Sequence, residues 1–207
     1  MDSFDVVWQP TAERAAATNT AAFMRAHGIE SLGELGVRSS RDPEWFWEAV
    51  VEFLGLPFDR PWRAVRDTSR GHQWSTWFVG GSFNLSRACV DRWAEQEPGR
   101  VALRSEKETG EIRELSFAEL RDHVSRLAGA LSELGVGRGD AVAVYLPMGE
   151  EAVATLLAVA RLGAIFIPVF SGYGPEAVST RLEDPKPKVV VCANGFQRRG
   201  KLVEMKE

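Results

Sequence analysis

With 207 residues, 44% hydrophobic and 26% charged, the chain has an ordinary globular composition and room for one large domain or a domain plus an appended region. That balance excludes general disorder. A formal net charge of -4 lacks the basic excess that nucleic-acid partners select, so no such partner is expected.

No apolar run approaches the roughly 18 residues needed to cross a bilayer. The longest, residues 152–160, is short and interrupted by Thr155, so no membrane partner is expected. The opening MDSFDVVWQP is acidic where a secretory signal would be basic and then apolar, which leaves the cytoplasm as the default compartment. Cys89 and Cys192 show no CxxC spacing and read as buried, reduced thiols rather than a disulfide or a metal site.

All seven tryptophans fall within the first 93 residues. From Val101 onward, Val/Ala/Leu strands alternate with helices. The sequence therefore predicts a helical and irregular N-terminal region that clasps an α/β body. A first helix is expected over residues 12–26, stopped by Gly28. Asp42-Pro43-Glu44 starts another, with Asp as N-cap and Pro in the first turn. Phe46, Ala49, Val50, Phe53 and Leu54 recur at helical spacing behind it, and Gly55 ends the run. Residues 55–84 read as an ordered, irregular segment whose many aromatics have to be buried against the rest of the chain.

In the body, residues 101–105 and 112–115 flank a turn near Thr109-Gly110 and read as a hairpin. Ser116-Phe117-Ala118-Glu119 is a capping box. The helix behind it carries a stripe of Leu120, Val124, Leu127, Ala128, Leu131 and Leu134, closed by Gly135. Strands follow at residues 141–146, 164–170 and 188–192, with helices at 150–162 and 175–182 between them. Strand, helix, strand, helix, strand predicts an α/β fold built of βαβ units with a largely parallel sheet. Ligands of such sheets gather beyond the carboxyl ends of the strands. Attention therefore falls on Pro147-Met148, on residues 170–174 and on residues 193–201.

Among the motifs, Gly135-Val136-Gly137-Arg138-Gly139-Asp140 lies after a helix and before a strand, the wrong order for a phosphate-cradling loop. Its Arg-Gly-Asp is a tight turn. His27, His72 and His123 are scattered without ligand spacing, so no metal site is expected. Glu150 and Glu151 sit in the first turn of a helix, where the dipole explains them. Phe170-Ser171-Gly172-Tyr173-Gly174 joins a buried strand to a helix start with two glycines that allow close backbone approach. Alone it is an ordinary strand-to-helix turn. Gly195-Phe196-Gln197-Arg198-Arg199-Gly200-Lys201 places three cations in four positions after the last strand. Such a group can clamp a phosphate, or it is simply a solvated basic loop, the commoner case.

Taken together, DPEWFWEAVVEFLGLPFDRPW, WFVGGSFNLSRACVDRWAEQEPGRVAL and LSFAELRDHVSRLAGALSELGVGRGDAVAVYLPMGEEAVATLLAVARLGAIFIPVFSGYGPEAVSTRL resemble the acetyl-CoA synthetase branch of the adenylate-forming, AMP-binding acyl-CoA ligases. The resemblance implies that residues 1–95 form that branch's Trp-rich N-terminal extension, and residues 96–207 an incomplete first part of the adenylation domain. It implies an AMP-forming ligase of a short-chain carboxylate and coenzyme A, working through an acyl-adenylate, with ATP and Mg²⁺ as further cofactors. It also implies Arg198 and Lys201 as contacts to the phosphorylated adenosine end of coenzyme A, Arg199 as a neighbour in the same segment, and Gly172 near the pantetheine path. No residue here matches a catalytic position. The family's TSGTTGxPK-like phosphate loop, its YGxTE-like segment and its C-terminal lysine do not occur. The expectation is therefore an N-terminal portion of a longer ligase, inactive alone and prone to self-association. The alternative is a free-standing interaction module that retains a weak coenzyme A site. A third, weaker reading is a related ligase acting on a larger acid, such as an acetoacetyl-CoA or propionyl-CoA ligase.

Overall fold

A computed structural model describes residues 7–206. Residues 1–6, where the acidic start of the chain lies, and Glu207 are outside the described residues. The chain divides into two compact units, Met1–Ser82 and Phe83–Glu207.

The first unit opens with four capped helices: α1 (Ala12–Ala16), α2 (Asn19–Ala26), α3 (Leu32–Arg41) and α4 (Pro43–Phe53). Thr11, Thr18, Ser31 and Asp42 are their N-caps, and each side chain accepts a backbone N–H of the first turn. The single helix expected over residues 12–26 is thus two. The Thr18 hydroxyl donates to the Ala15 carbonyl at 2.8 Å and accepts the Ala21 N–H, so it closes one helix and starts the next. In α4 the buried residues are Ala49 and Val51, whereas Phe53 and Leu54 are exposed. The expected stripe is therefore rotated. Phe23 anchors the unit: it is 5% exposed and its ring lies 4.4 Å from His27, 5.4 Å from Phe53 and 6.0 Å from Phe46.

Residues 55–83 are more regular than expected. They contain β1 (Phe58–Arg60), β2 (Ala64–Asp67), β3 (Thr76–Val79) and β4 (Ser82–Phe83), with β2 and β3 antiparallel. The aromatics of this segment meet the expectation only in part: Phe58, Trp62 and Phe78 are half-buried and pack on one another, whereas Trp74, Trp77 and Phe83 are exposed. Trp47 and Trp77 meet edge to face at 6.3 Å, and Arg66 lies over Trp77. Both rings are thus partly covered and partly in solvent, which suits amphipathic rings.

The second unit begins with a π-helical turn over Arg87–Asp91 that runs into α5 (Arg92–Gln96). Then come β5 (Val101–Glu106) and β6 (Ile112–Ser116), an antiparallel pair. Next are α6 (Phe117–Glu133), β7 (Ala141–Tyr145), α7 (Glu150–Arg161), β8 (Ile165–Pro168), α8 (Pro175–Glu183) and β9 (Val189–Cys192). The chain then makes the hairpin of β10 (Gly195–Arg198) and β11 (Lys201–Glu204). The capping box at α6 is formed as expected, with Ser116 and Glu119 each satisfying an N–H of the other. Gly135, just past that helix, has φ +83°, the left-handed conformation that ends helices.

β7, β8 and β9 form a parallel sheet in the order β8-β7-β9. The parallel arrangement thus holds for this central sheet, while the hairpins around it are antiparallel. Being central, β7 is covered on both faces and reads as a continuous apolar run. Its alternate residues serve two cores. Val142 and Val144 pack with Val124, Leu131, Leu157 and Val159 from α6 and α7. Ala143 and Tyr145 pack with Val169, Val178 and Leu182, the last two from α8. Burying each large apolar side chain here is worth about 1.5–3 kcal/mol.

Arg161, the last residue of α7, ties the start of the unit to these helices. It donates to Ser86 Oγ at 3.2 Å, to Ser125 Oγ at 2.5 Å and to Asp91, while its carbonyl accepts from Asn84. Two expectations fail. Leu134 caps α6 at 64% exposure, outside the stripe. Cys89 and Cys192 are exposed rather than buried: Cys89 points away from its buried neighbours Ala88 and Val90, and Cys192 ends β9, which flanks β7 at one edge of the parallel sheet. Among the described residues, no helix is long and apolar enough to cross a membrane.

Candidate functional site

The carboxyl ends of β7, β8 and β9 open into the three segments that the topology singles out. After β7, Met148 stands 91% exposed before Gly149 opens α7. After β8, Val169 is buried and Phe170 turns outward at 58% exposure. After β9 comes the β10–β11 hairpin.

The loop after β8 is held by the strand beside it. Tyr145, at the end of β7, is 8% exposed and its hydroxyl donates to the Tyr173 carbonyl at 2.8 Å. A buried phenol paired in this way fixes the loop's distance from the sheet. The Tyr173 ring meets Phe170 edge to face at 5.4 Å, and the Arg181 guanidinium of α8 stacks over it at 4.0 Å. Gly172 sits at the centre of this arrangement. A Cβ there would lie 2.6 Å from Phe170 Cε1 and 3.1 Å from Arg198 Nη1. Its backbone does not need glycine, because its φ is outside the left-handed range. The requirement is space: only a hydrogen fits between the aromatic ring and the guanidinium.

The structure therefore brings Gly172 and Arg198 together across 26 residues of sequence. It also gives the basic segment a defined shape in place of the expected loop. Arg198 pairs with Lys201 in the β10–β11 ladder, which leaves Arg199-Gly200 as a two-residue turn. Both turn residues have positive φ, +52° and +71°, the geometry of the hairpin turn whose twist matches its strands. Cross-strand partners share a face, so Arg198 and Lys201 present their cations side by side. Among the described residues neither forms an ion pair, and both are exposed. Phe196 and Val203, also paired, are the partly buried positions that seat the hairpin.

Arg199 has a different setting. Its N–H and that of Gly200 both donate to the Glu108 carboxylate, at 2.7 and 3.3 Å. Glu108 lies in the β5–β6 turn, ordered by the Gly110 N–H to Lys107 carbonyl bond at 2.9 Å. The Arg199 N–H, then that of Gly200, with smaller help from the charges of Arg198 and Arg199, hold this carboxyl below the usual glutamate range. Glu108 was not singled out in the sequence. The hairpin did leave a sign, the Arg199-Gly200 pair, but the contact with Glu108 spans 91 positions and leaves none.

Chemically, the site offers an apolar wall at Phe170, a backbone surface at Gly172 and a pair of cations. That combination accepts a slim chain carrying a phosphate at one end. It fits coenzyme A. Among the described residues no group of three or more metal-ligating side chains occurs.

Comparison with known proteins agrees with this reading of the architecture. The family model described as acetyl-coenzyme A synthetase N-terminus matches residues 34–89, and that described as AMP-binding enzyme matches residues 90–207. The acetyl-coenzyme A synthetase of Mycolicibacterium smegmatis is 40% identical over 184 residues, 88% of this chain and 19% of the relative. The propionate–CoA ligase of Salmonella typhimurium is 39% identical over 86% of this chain and 28% of its own length. Among solved structures, acetoacetyl-CoA synthetase from Streptomyces lividans superposes with a TM-score of 0.86 at 32% identity, covering 95% of this chain and 31% of that one. The chain thus spans 19–31% of the length of these three proteins.

Proposed function

The chain belongs to the AMP-binding enzyme family, and from that premise we propose that it is the coenzyme A-facing N-terminal part of an ATP-dependent short-chain carboxylate–CoA ligase. The observation that carries this is the order of two family matches in one chain: the acetyl-coenzyme A synthetase N-terminus at 34–89 runs directly into the AMP-binding enzyme at 90–207. The named relatives are synthetases or ligases of acetyl, propionate and acetoacetyl groups, which supports a small acid as substrate. The whole reaction would join carboxylate and ATP into acyl-adenylate and pyrophosphate, then pass the acyl group to the thiol of coenzyme A with release of AMP.

Within that reaction, this chain's own contribution is to bind and orient. Arg198 and Lys201 hold the phosphorylated end of coenzyme A, and Gly172, packed closely against Phe170 and Arg198, lies near the path of the pantetheine arm. The residues for ATP and Mg²⁺ belong to family segments that these 207 residues do not contain, so no adenylation step is assigned to them. Residues 1–95 serve as the branch-specific extension and 96–207 as the opening of the adenylation domain, and the cytoplasm is the compartment where ATP and coenzyme A are at hand.

The test has two arms. The 207-residue chain, given MgATP with acetate, propionate or acetoacetate, is expected to release no pyrophosphate. The protein encoded by the complete reading frame is expected to form the acyl-CoA from at least one of them. Turnover by the 207 residues, or failure of the complete protein with every short acid, would refute the assignment.

A further inference from the structure

The two backbone N–H groups of the Arg199-Gly200 turn point the same way and form a small anion-binding concavity, flanked by the cations of Arg198, Arg199 and Lys201. Two successive donors converging on one carboxylate are the geometry that also accepts two oxygens of a phosphate. In this structure the acceptor comes from within the chain: the exposed tip of the β5–β6 hairpin reaches over and places Glu108 there, Oε1 on Arg199 and Oε2 on Gly200.

We propose that Glu108 is an internal occupant of a phosphate subsite made by the Arg199 and Gly200 amides, and that a phosphate monoester of the incoming coenzyme displaces it. This rests on the reading of Arg198 and Lys201 as coenzyme A contacts, and adds to it the backbone donors and a competitor for them.

Three features support exchange rather than permanent attachment. Glu108 is an exposed residue at a hairpin tip, so its release requires no unpacking of the core. Among the described residues Glu108 has no side-chain partner other than these two amides. The charges of Arg198 and Arg199 already act on Glu108 without forming an ion pair with it, and a dianion attracts them more strongly than one carboxylate does. The occupied state satisfies the turn's donors in the absence of ligand and keeps the hairpin in one shape. Its cost is competition: apparent affinity for the phosphate falls by the fraction of sites that Glu108 fills.

The experiment compares the 207-residue chain with Glu108→Gln and Arg198→Ala. Calorimetry would measure coenzyme A and dephospho-coenzyme A, and inorganic phosphate would be titrated while the Arg199 and Gly200 amide signals are followed by ¹⁵N NMR. Glu108→Gln is expected to bind coenzyme A about threefold to tenfold more tightly, as removing a charged hydrogen-bond competitor at a surface site allows. Its two turn amides should saturate at correspondingly lower phosphate. Arg198→Ala should bind coenzyme A more weakly than the parent chain. Unchanged or weaker binding by Glu108→Gln, with Arg198→Ala weakened as expected, overturns the inference alone and makes Glu108 a strut for the hairpin. An Arg198→Ala chain that binds as the parent does removes the coenzyme reading beneath it. Amide shifts at residues remote from 198–201 also overturn the inference. Far-UV circular dichroism of each variant separates these outcomes from misfolding.

Discussion

Leu131 is the residue on which the second unit's core can be tested most sharply. It lies on α6, 4% exposed, in the cluster with Val124, Val142, Ala158 and Val159. Leu131→Ala removes three carbon groups, which at about 0.8 kcal/mol each is roughly 2.5 kcal/mol of transfer free energy. Because β7 and α7 are fixed by their own partners, the gap collapses only in part, and the cavity brings the total to about 3–4 kcal/mol. For a chain of this size the melting midpoint should fall by roughly 6–15 °C. The control is on the same helix, three residues on. Leu134 shares the helical spacing but is 64% exposed, so Leu134→Ala should stay within about 0.5 kcal/mol of the parent. Urea unfolding followed by circular dichroism measures both. Comparable losses for the two variants would mean that α6 buries a different face, and the described core would be wrong.

Two further predictions follow from local geometry. Gly172→Val should weaken coenzyme A binding by displacing Phe170 and Arg198, yet shift the melting midpoint by less than about 2 °C, because the site is exposed and the backbone unstrained; a large loss of stability with unchanged binding would contradict this. Asp140 is held below the usual aspartate range first by the Gly137 N–H and then by Lys188. Its folded value is depressed, so its stabilising effect is present above the unfolded value of about 3.9 and fades as pH falls through the lower folded one. Asp140→Asn should therefore flatten the acid limb of a stability-versus-pH curve, and an unaltered limb would sink the assignment.

What was legible in the sequence were the features with local causes. Asp42-Pro43, the Ser116–Glu119 box, Gly110 in its turn and Gly135 past its helix each act within a few residues, and each does what its chemistry implies. The strand–helix alternation gave β7, β8 and β9 because a doubly covered strand must be apolar throughout. Less local facts were missed. Thr18 splits a helix that periodicity had joined, since its hydroxyl competes with the backbone. α3 leaves little trace in the sequence, because its apolar residues are sparse and its N-cap, Ser31, precedes no clear apolar stripe. At the candidate site, RRGK was visible as charge but not as a hairpin turn, and neither Phe170 beside Gly172 nor Glu108 on the turn amides could be inferred from spacing. Family resemblance supplied the coenzyme, and the geometry supplied the neighbours.

Coenzyme A binding by Arg198→Ala/Lys201→Ala, set against the parent 207-residue chain in one buffer, tests the central claim most directly. Losing both cations should weaken coenzyme A by about tenfold or more and leave dephospho-coenzyme A much less affected. Equal binding of coenzyme A by the two proteins, both shown to be folded, would mean that the hairpin does not face the coenzyme.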